Sequence, residues 1–372
     1  LIQSNKKLRV KLMAKNLKDT VNPVWRKQLD LSRFGPAGSG PVEFTLDPDD
    51  RNYDWLVVYD EIPKLPVAPA GTSQSFRQSE VLNCPPANCI LVTSEPSTIK
   101  IHGKRYLSQF GHVLTGLEPW SVGHHPGAIY EQSSMLWFYG KRDEKMPGDD
   151  FGLERIANAP WPDKPLLIST VCSAKQQRHT LHFQRYKFTQ LLKSQLPELQ
   201  IFGHGHTWIA DKADALDPYK YHVAIENHIA PHHWTEKLAD AFLGHCLPLY
   251  FGAPRAADYF PKDALIALDL ARPDWSMARI RDAIAGDEFT ARKAAIKEAR
   301  ARIIHEHNIF PHIARIIKER GGCIDKPAAP ATIHSRHVLR KNSPWYAVSH
   351  MVEKFLLTRR SSREQRRLVP MQ

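Results

Sequence analysis

The stretch Tyr219 to Pro254, YKYHVAIENHIAPHHWTEKLADAFLGHCLPLYFGAP, limits most strongly what this chain can fold into. It reads as strand, polar loop, helix, strand and turn. Tyr221 to Ile225 is an apolar run that ends in Glu226 and Asn227. Thr235-Glu236-Lys237 opens a helix whose Leu238, Phe242 and Leu243 keep helical spacing. Leu247 to Phe251 is a second apolar run, stopped by Gly252 and Pro254. A strand–loop–helix–strand unit of this length is a parallel crossover. Its loop then lies at the carboxyl end of a strand, where open α/β sheets bind ligands.

The loop chemistry suits an anion. Thr235 can cap the helix, the first-turn N–H groups favour a phosphate, and Lys237 adds a full positive charge. Glu236 and Asn227 can hold sugar hydroxyls. A lone TEK would be read as a capped helix with a surface Glu-Lys pair. The whole stretch, however, resembles the donor-binding motif of the α1,3/4-fucosyltransferases (glycosyltransferase family 10), in the bacterial type. That pattern runs roughly Y-K-F-x-L-A-F-E-N-S, a short loop, Y-[VI]-T-E-K, an alternating helix, then V-P-[VI]-Y-x-G-[AS]-P. The counterparts are YKYHVAIENH, HWTEKLADAF and LPLYFGAP, with His233 at the place of the aromatic before Thr235.

Bulk properties frame this reading. A chain of 372 residues can bury a large core and form two domains. It has no run of 18 apolar residues, so nothing is expected to span a bilayer, and LIQSNKKLRVKLMAKN lacks a signal-peptide apolar region. Five irregularly spaced cysteines (84, 89, 172, 246, 323) make no disulfide framework and imply a cytoplasmic setting. The net charge of +12 is uneven, with nine Lys/Arg against two acids in residues 331–372.

Apolar runs place strands at Leu8–Met13, Val42–Leu46, Tyr53–Tyr59, Ile90–Thr93 and His112–Thr115, with a short helix at Tyr106–Phe110. Segments 35–41 and 63–75 read as loops, Met135–Tyr139 as an apolar run and 143–165 as a linker. The pattern restarts with strands at Leu166–Val171, Leu199–Phe202 and Ala264–Leu270, and helices at Arg178–Gln195, Asp274–Ala285 and Phe289–Lys318. Two sets of alternating elements imply two α/β domains. The resemblance implies a GT-B fold: two Rossmann-like domains with the active site in the cleft between them. The expected boundaries are 1–160 for an acceptor-side domain, 161–330 for a GDP-sugar domain and 331–372 for a basic amphipathic tail.

The resemblance also implies a function: an inverting transferase moving L-fucose from GDP-L-fucose to a hydroxyl of a glycan, in α1,3 or α1,4 linkage, with a bacterial surface polysaccharide as the expected acceptor. Inversion needs one base at the acceptor and a diphosphate able to leave. Glu95 in TSEPS follows a strand and matches the family's short Glu-containing motif, so it is the expected base, with Glu118 and Asp60 as fallbacks. Arg185 is expected to clamp the diphosphate with Lys237, since its planar fork makes two hydrogen bonds; Arg178 competes for the place. Asn227, Thr235 and Glu236 would position ribose, phosphate and fucose. The resemblance also carries over Ser173, what is left of the family's Ser-Asn pair since Ala174 follows it, and Tyr139 in WFYGKRD, matching a first-domain aromatic near the nucleotide.

The paired histidines (124/125, 204/206, 232/233) lack zinc spacing. No cofactor is expected and no divalent cation is essential. Trp345, Val348, Val352, Phe355 and Leu356 keep roughly helical spacing ahead of five arginines, which suits peripheral contact with an anionic membrane through 345–367, on the inner membrane. The family's bacterial members resemble this in ending with a basic amphipathic tail. Two rivals remain: a transferase for another nucleotide sugar, and a non-enzymatic nucleic-acid-binding protein. The second is disfavoured because the charge lies in the tail, away from any aromatic platform.

Overall fold

Apolar runs of five or six residues with few polar interruptions can be buried on both faces only inside a parallel sheet covered by helices. The computed structural model, which describes residues 7–15, 24–33, 42–66, 76–142, 151–321 and 330–370, forms two such sheets. Cα packing divides the chain into one unit of residues 1–134 and 309–360 and another of 135–308 and 361–372.

In the first unit the strands β1 (Leu8–Met13), β2 (Val42–Thr45), β3 (Trp55–Tyr59), β4 (Cys89–Thr93), β5 (His112–Thr115) and β6 (Ala128–Tyr130) pair in parallel, in the order β2-β1-β3-β4-β5-β6. The helix α1 (Val24–Leu31) buries Val24, Trp25 and Leu29. The unit's core gathers Leu56, Val58, Leu91 and Val113 together with Ile333, Leu339 and Tyr346 from far along the chain. The strand Thr332–His334 pairs antiparallel with Ser79–Val81.

In the second unit β7 (Leu166–Val171), β8 (Gln200–Phe202), β9 (Tyr219–Ile225), β10 (Leu247–Phe251) and β11 (Ile266–Ala267) take the order β8-β7-β9-β10-β11, all parallel. This is the doubly wound 2-1-3-4-5 order, and its switch point lies at β7 and β9. The expected α/β class, two Rossmann-like parallel sheets, is present in both units. The helices α2 (His182–Gln195) and α3 (Glu236–Leu243) follow β7 and β9.

Several boundaries differ from expectation. Residues 309–360 belong with the first unit and 135–160 with the second, where composition placed the breaks at 160 and 330. Strand pairing between Thr332–His334 and Ser79–Val81 decides this, and no local signal announces a partner so far away. The expected tail is folded: it forms a strand, the helix Arg336–Asn342 and a continuous helix Pro344–Leu368. The expected helix Phe289–Lys318 is three pieces, Glu288–Ala291, Lys293–His305 and Ile309–Arg320. Its second break lets the His307 ring pack against Trp234, Tyr259 and Phe260. The short helix runs Lys104–Leu107, and α2 starts at His182 because Thr180 bonds the His182 ring instead of continuing a helix. Met135–Tyr139 forms no strand. Of the expected linker, 143–150 lies outside the described residues, as do the loop 35–41, most of 63–75 and Cys323. Cys84 and Cys89 are free thiols, their Sγ atoms 3.9 Å apart.

One buried lysine holds the second unit's loops together. Lys164 Nζ donates to the carbonyls of Leu216 (2.9 Å), Asp217 (3.0 Å), Tyr219 (2.8 Å) and Gly244 (2.7 Å). Burial lowers its pKa, while Cys246 and Asp217 act in the opposite sense. Lys164→Met leaves those carbonyls buried without their donor, each costing about 1–3 kcal/mol where water does not replace it. The variant is expected to lose roughly 3 kcal/mol or more of the second unit's stability, read as the shift of its urea transition by pulse proteolysis.

Candidate active site

A cavity of about 260 Å³ opens at the switch point of the second sheet. Its walls come from the carboxyl ends of β7 and β9 (Val171, Ser173, Ile225, Asn227), from α2 (His182, Arg185) and from the start of α3 (Glu236, Lys237). Cations predominate: Lys175, Arg185, Lys212 and Lys237 face two acids, Glu236 and Asp240.

The start of α3 explains this chemistry. Thr235 is extended at the N-cap, and its hydroxyl accepts from Lys237 N at 3.4 Å and Lys237 Nζ at 3.1 Å. It donates in turn to Glu226, which also accepts from Thr235 N at 2.9 Å. Lys237 Nζ lies 3.2 Å from Glu226 and 3.0 Å from Glu236. Glu226 is buried, which raises its pKa against the pull of Lys237. Burial would lower Lys237, but the two carboxylates win and raise it. Burial would likewise raise Glu236, yet Lys237 and Lys212 hold it below the usual carboxylate range. The helix start therefore already has an internal anion, Glu226. Gly252 is required beside it, because a Cβ there would stand 2.4 Å from Glu226 Cγ and 2.5 Å from the Tyr250 hydroxyl oxygen.

Arg185 is buried on α2 and donates from Nη1 to Asn227 Oδ1 at 3.1 Å and from Nη2 to the Val171 carbonyl. Arg178 is exposed, lies over the Phe183 ring and does not line the cavity. Of the donor-side residues singled out from the sequence, Ser173, Arg185, Asn227, Glu236 and Lys237 converge on the cavity. Thr235 stands behind them, its hydroxyl used by Glu226 and Lys237. Tyr139 is not in the lining: its hydroxyl donates to Asp217 at 2.8 Å, and its N–H to Asp240 at 2.9 Å. His233 is buried with its ring 5.8 Å from that of His228, and it too is absent from the lining.

Glu95 belongs to the first unit, exposed two residues beyond β4. The loop around it is tied on both sides. Ser94 donates to Asp60 from N (3.0 Å) and Oγ (2.6 Å), and Ser97 Oγ donates to Glu118 at 3.0 Å. Burial would raise the Asp60 carboxyl, but His102, Lys100 and Ser94 hold it far below its ordinary value, which makes it a poor proton acceptor. The fallback reading of Asp60 as base loses its footing there. Among the described residues no group of three or more His, Cys, Asp or Glu is placed to hold a metal.

Sequence reasoning missed Glu226 as a partner, and Lys175, His182, His204, Lys212, His222 and Asp240 as lining residues. Lys212 Nζ sits 2.6 Å from Asp240 and 4.0 Å from Glu236. They arrive from separate segments with no common spacing. Isolated polar residues inside apolar runs, His222 in YKYHVAI and Asp240 in KLADAF, were the available signal.

Residues 161–278 match the model of the glycosyltransferase family 10 (fucosyltransferase) C-terminal domain. That stretch lies within the second unit. An α-(1,3)-fucosyltransferase of Helicobacter pylori is 31% identical over 74 residues, 20% of this chain and 16% of that protein, so the match spans less than a fifth of the relative's length. Similar solved structures include an α1,3-fucosyltransferase with GDP-fucose (14% identity, TM-score 0.44, 81% of this chain and 84% of that one) and one with GDP (15%, 0.45, 84% and 92%). The family 10 match covers the cavity walls from Val171 to Asp240.

His182 gives the site a measurable titration. Burial, then the charges of Arg185, Lys237 and Lys175, lower its pKa to about 4. Unfolded, the ring titrates near 6.5. Protonation therefore favours the unfolded chain, and stability is full above pH 6.5 and falls as pH drops toward 4. His182→Gln should flatten that part of the stability–pH curve, measured by denaturant unfolding at pH 7, 6, 5 and 4.

Proposed function

We propose that this chain is an inverting fucosyltransferase, moving L-fucose from GDP-L-fucose to a hydroxyl of a glycan in α1,3 or α1,4 linkage. The observation that carries the reading is the convergence of Arg185, Lys237, Asn227 and Glu236 on one cationic cavity inside the stretch that matches family 10. A cavity of four Lys/Arg side chains at a switch point suits a diphosphate.

In this reading the acceptor hydroxyl gives its proton to Glu95 and its oxygen attacks the anomeric carbon of fucose. The bond from that carbon to the β-phosphate oxygen breaks, and GDP leaves with the electron pair. Arg185 and Lys237 hold the charge that develops, the electrostatic term that dominates such transfers. The Glu226–Thr235 pair positions Lys237, Asn227 orients Arg185, and Glu236 and Ser173 meet the sugar nucleotide. Glu95 is assigned by its place after β4 and by the low basicity of Asp60. No metal enters the mechanism, because side-chain cations neutralise the diphosphate.

Titration calorimetry and a transfer assay in EDTA test this. GDP-fucose should bind in preference to GDP-mannose and UDP-sugars. Lys237→Ala and Arg185→Ala should each weaken donor binding by about tenfold to a hundredfold. Glu95→Ala should keep donor binding and lose transfer by at least about a hundredfold. Absence of binding to any GDP-sugar would refute the donor assignment, and normal transfer by Glu95→Ala the base.

A second part of the reading concerns the helix Pro344–Leu368. No described helix is long and apolar enough to cross a membrane. Yet Trp345 is 81% exposed, and Val348, Met351, Val352, Phe355 and Leu356 are exposed with it, ahead of exposed Arg359, Arg363, Arg366 and Arg367. That composition suits insertion at an anionic lipid surface, placing the enzyme on the cytoplasmic face of the inner membrane. The protein should co-sediment with phosphatidylglycerol vesicles at low salt, and Trp345→Ser with Phe355→Ser should abolish it. Unchanged pelleting of that variant would sink the idea.

A further inference from the structure

One lining residue has a protonation state fixed by geometry alone. His222 stands in the middle of β9, opposite Ser169 of β7. It is buried, and it lines the cationic cavity. Ser169 Oγ is 2.5 Å from the Ala215 carbonyl oxygen and 2.9 Å from His222 Nδ1. A carbonyl oxygen only accepts, so the single hydroxyl proton of Ser169 is committed to Ala215. Oγ can meet Nδ1 only as an acceptor. Nδ1 therefore carries the ring proton, and Nε2 is left with a lone pair. Burial, then the charges of Lys212, Arg185 and Lys164, keep the ring neutral, with its pKa lowered to about 3.

Apart from Ser173, His182 and His204, the polar side chains of the lining donate or have their acceptors engaged. Lys175, Arg185, Lys212 and Lys237 can only donate. Asn227 Oδ1 is taken by Arg185. Asp240 accepts from the N–H groups of Phe138 and Tyr139 and from Lys212. Glu236 faces Lys237 and Lys212. Among the described residues no hydrogen bond to Nε2 of His222 is formed. With Nδ1 spent on Ser169, the ring edge left to the cavity bears Nε2.

We infer that His222 is a specificity residue of the donor cavity, its Nε2 accepting a hydrogen bond from an N–H or O–H of the bound nucleoside diphosphate. The inference rests on the reading of the cavity as a nucleotide-sugar site. A fixed acceptor in a cavity of cations gains from a ligand that carries a donor group beside its phosphates. It discriminates against one that presents a lone pair there, because two acceptors would then face each other out of water. The donor group can come from the base or from the ribose.

The test uses the full chain with histidines labelled with 15N, and GDP as the probe. Long-range 1H–15N spectra should show Nδ1 of His222 protonated and Nε2 unprotonated in the free protein, with Nε2 shifting toward the hydrogen-bonded range when GDP is added. By calorimetry His222→Phe should bind GDP about tenfold or more weakly than the unaltered chain. 2′-Deoxy-GDP, IDP and N1-methyl-GDP distinguish the sources: whichever analogue lacks the contacting group should lose affinity in the unaltered chain and lose no more in His222→Phe. A protonated Nε2, an Nε2 resonance unmoved by saturating GDP, or a folded His222→Phe binding GDP within twofold would each overturn the inference. Should His222→Phe not fold, the two spectroscopic outcomes on the unaltered chain still decide. Failure of the unaltered chain to bind GDP at all would instead refute the donor reading on which the inference stands.

Discussion

The carboxylate of Glu226 at the start of α3 is the interaction on which the second unit's site depends. It is buried, it accepts from Thr235 through backbone and side chain, and it lies 3.2 Å from Lys237 Nζ. Removing one partner of such a pair strands the other in a low-dielectric interior, which costs about 3–5 kcal/mol. The pair thus couples the end of β9 to the first turn of α3. Gly252 and Tyr250 on β10 complete the enclosure, so the motif's glycine serves packing around a charge as much as turning the chain. Lys237 keeps its proton and its place because two acids neutralise it, and Arg185 is placed equally firmly by Asn227 and Val171. Both cations are ordered before any anion arrives, which lowers the entropy cost of binding.

The sheets were legible in the sequence because central parallel strands are short and almost wholly apolar. WLVVY, CILVT and LPLYF could hardly be anything else. The helix caps were legible where a side chain does the capping, as at Thr235. Of the candidate site, the residues inside one contiguous motif were found, together with Arg185, because a crossover fixes their mutual placement through the backbone. Lys212 and His182 were not, since tertiary packing alone brings them in, and His222, although inside the motif, was hidden in a strand that reads as apolar. Tyr139 illustrates the opposite error: an aromatic in a suggestive run is buried against Asp217.

The two units distribute charge differently. Around the cavity, cations sit against partly compensating acids; burial sets the sign of the shifts at Glu226, Asp240, His182 and His222, and charge sets it at Lys237 and Glu236. In the first unit the same logic produces a quiet carboxylate, Asp60, saturated by donors at the end of β3, beside a loop that leaves Glu95 exposed.

The first unit is assembled from pieces that are distant in the chain. Ser79–Val81 waits for Thr332–His334, and the core around Leu56 and Val113 waits for Ile333, Leu339 and Tyr346. About 250 residues separate the two strands. On a ribosome adding roughly 5–20 residues per second, that is a delay of about 12–50 seconds. During it residues 135–308 of the second unit are made, but that unit is completed only by residues 361–372, whose Val369 joins its core. Both units therefore close on segments made late, 309–360 for the first and 361–372 for the second. For that interval the nascent chain carries an unpaired strand edge and an unfilled apolar core, the state in which a holding chaperone would find its substrate.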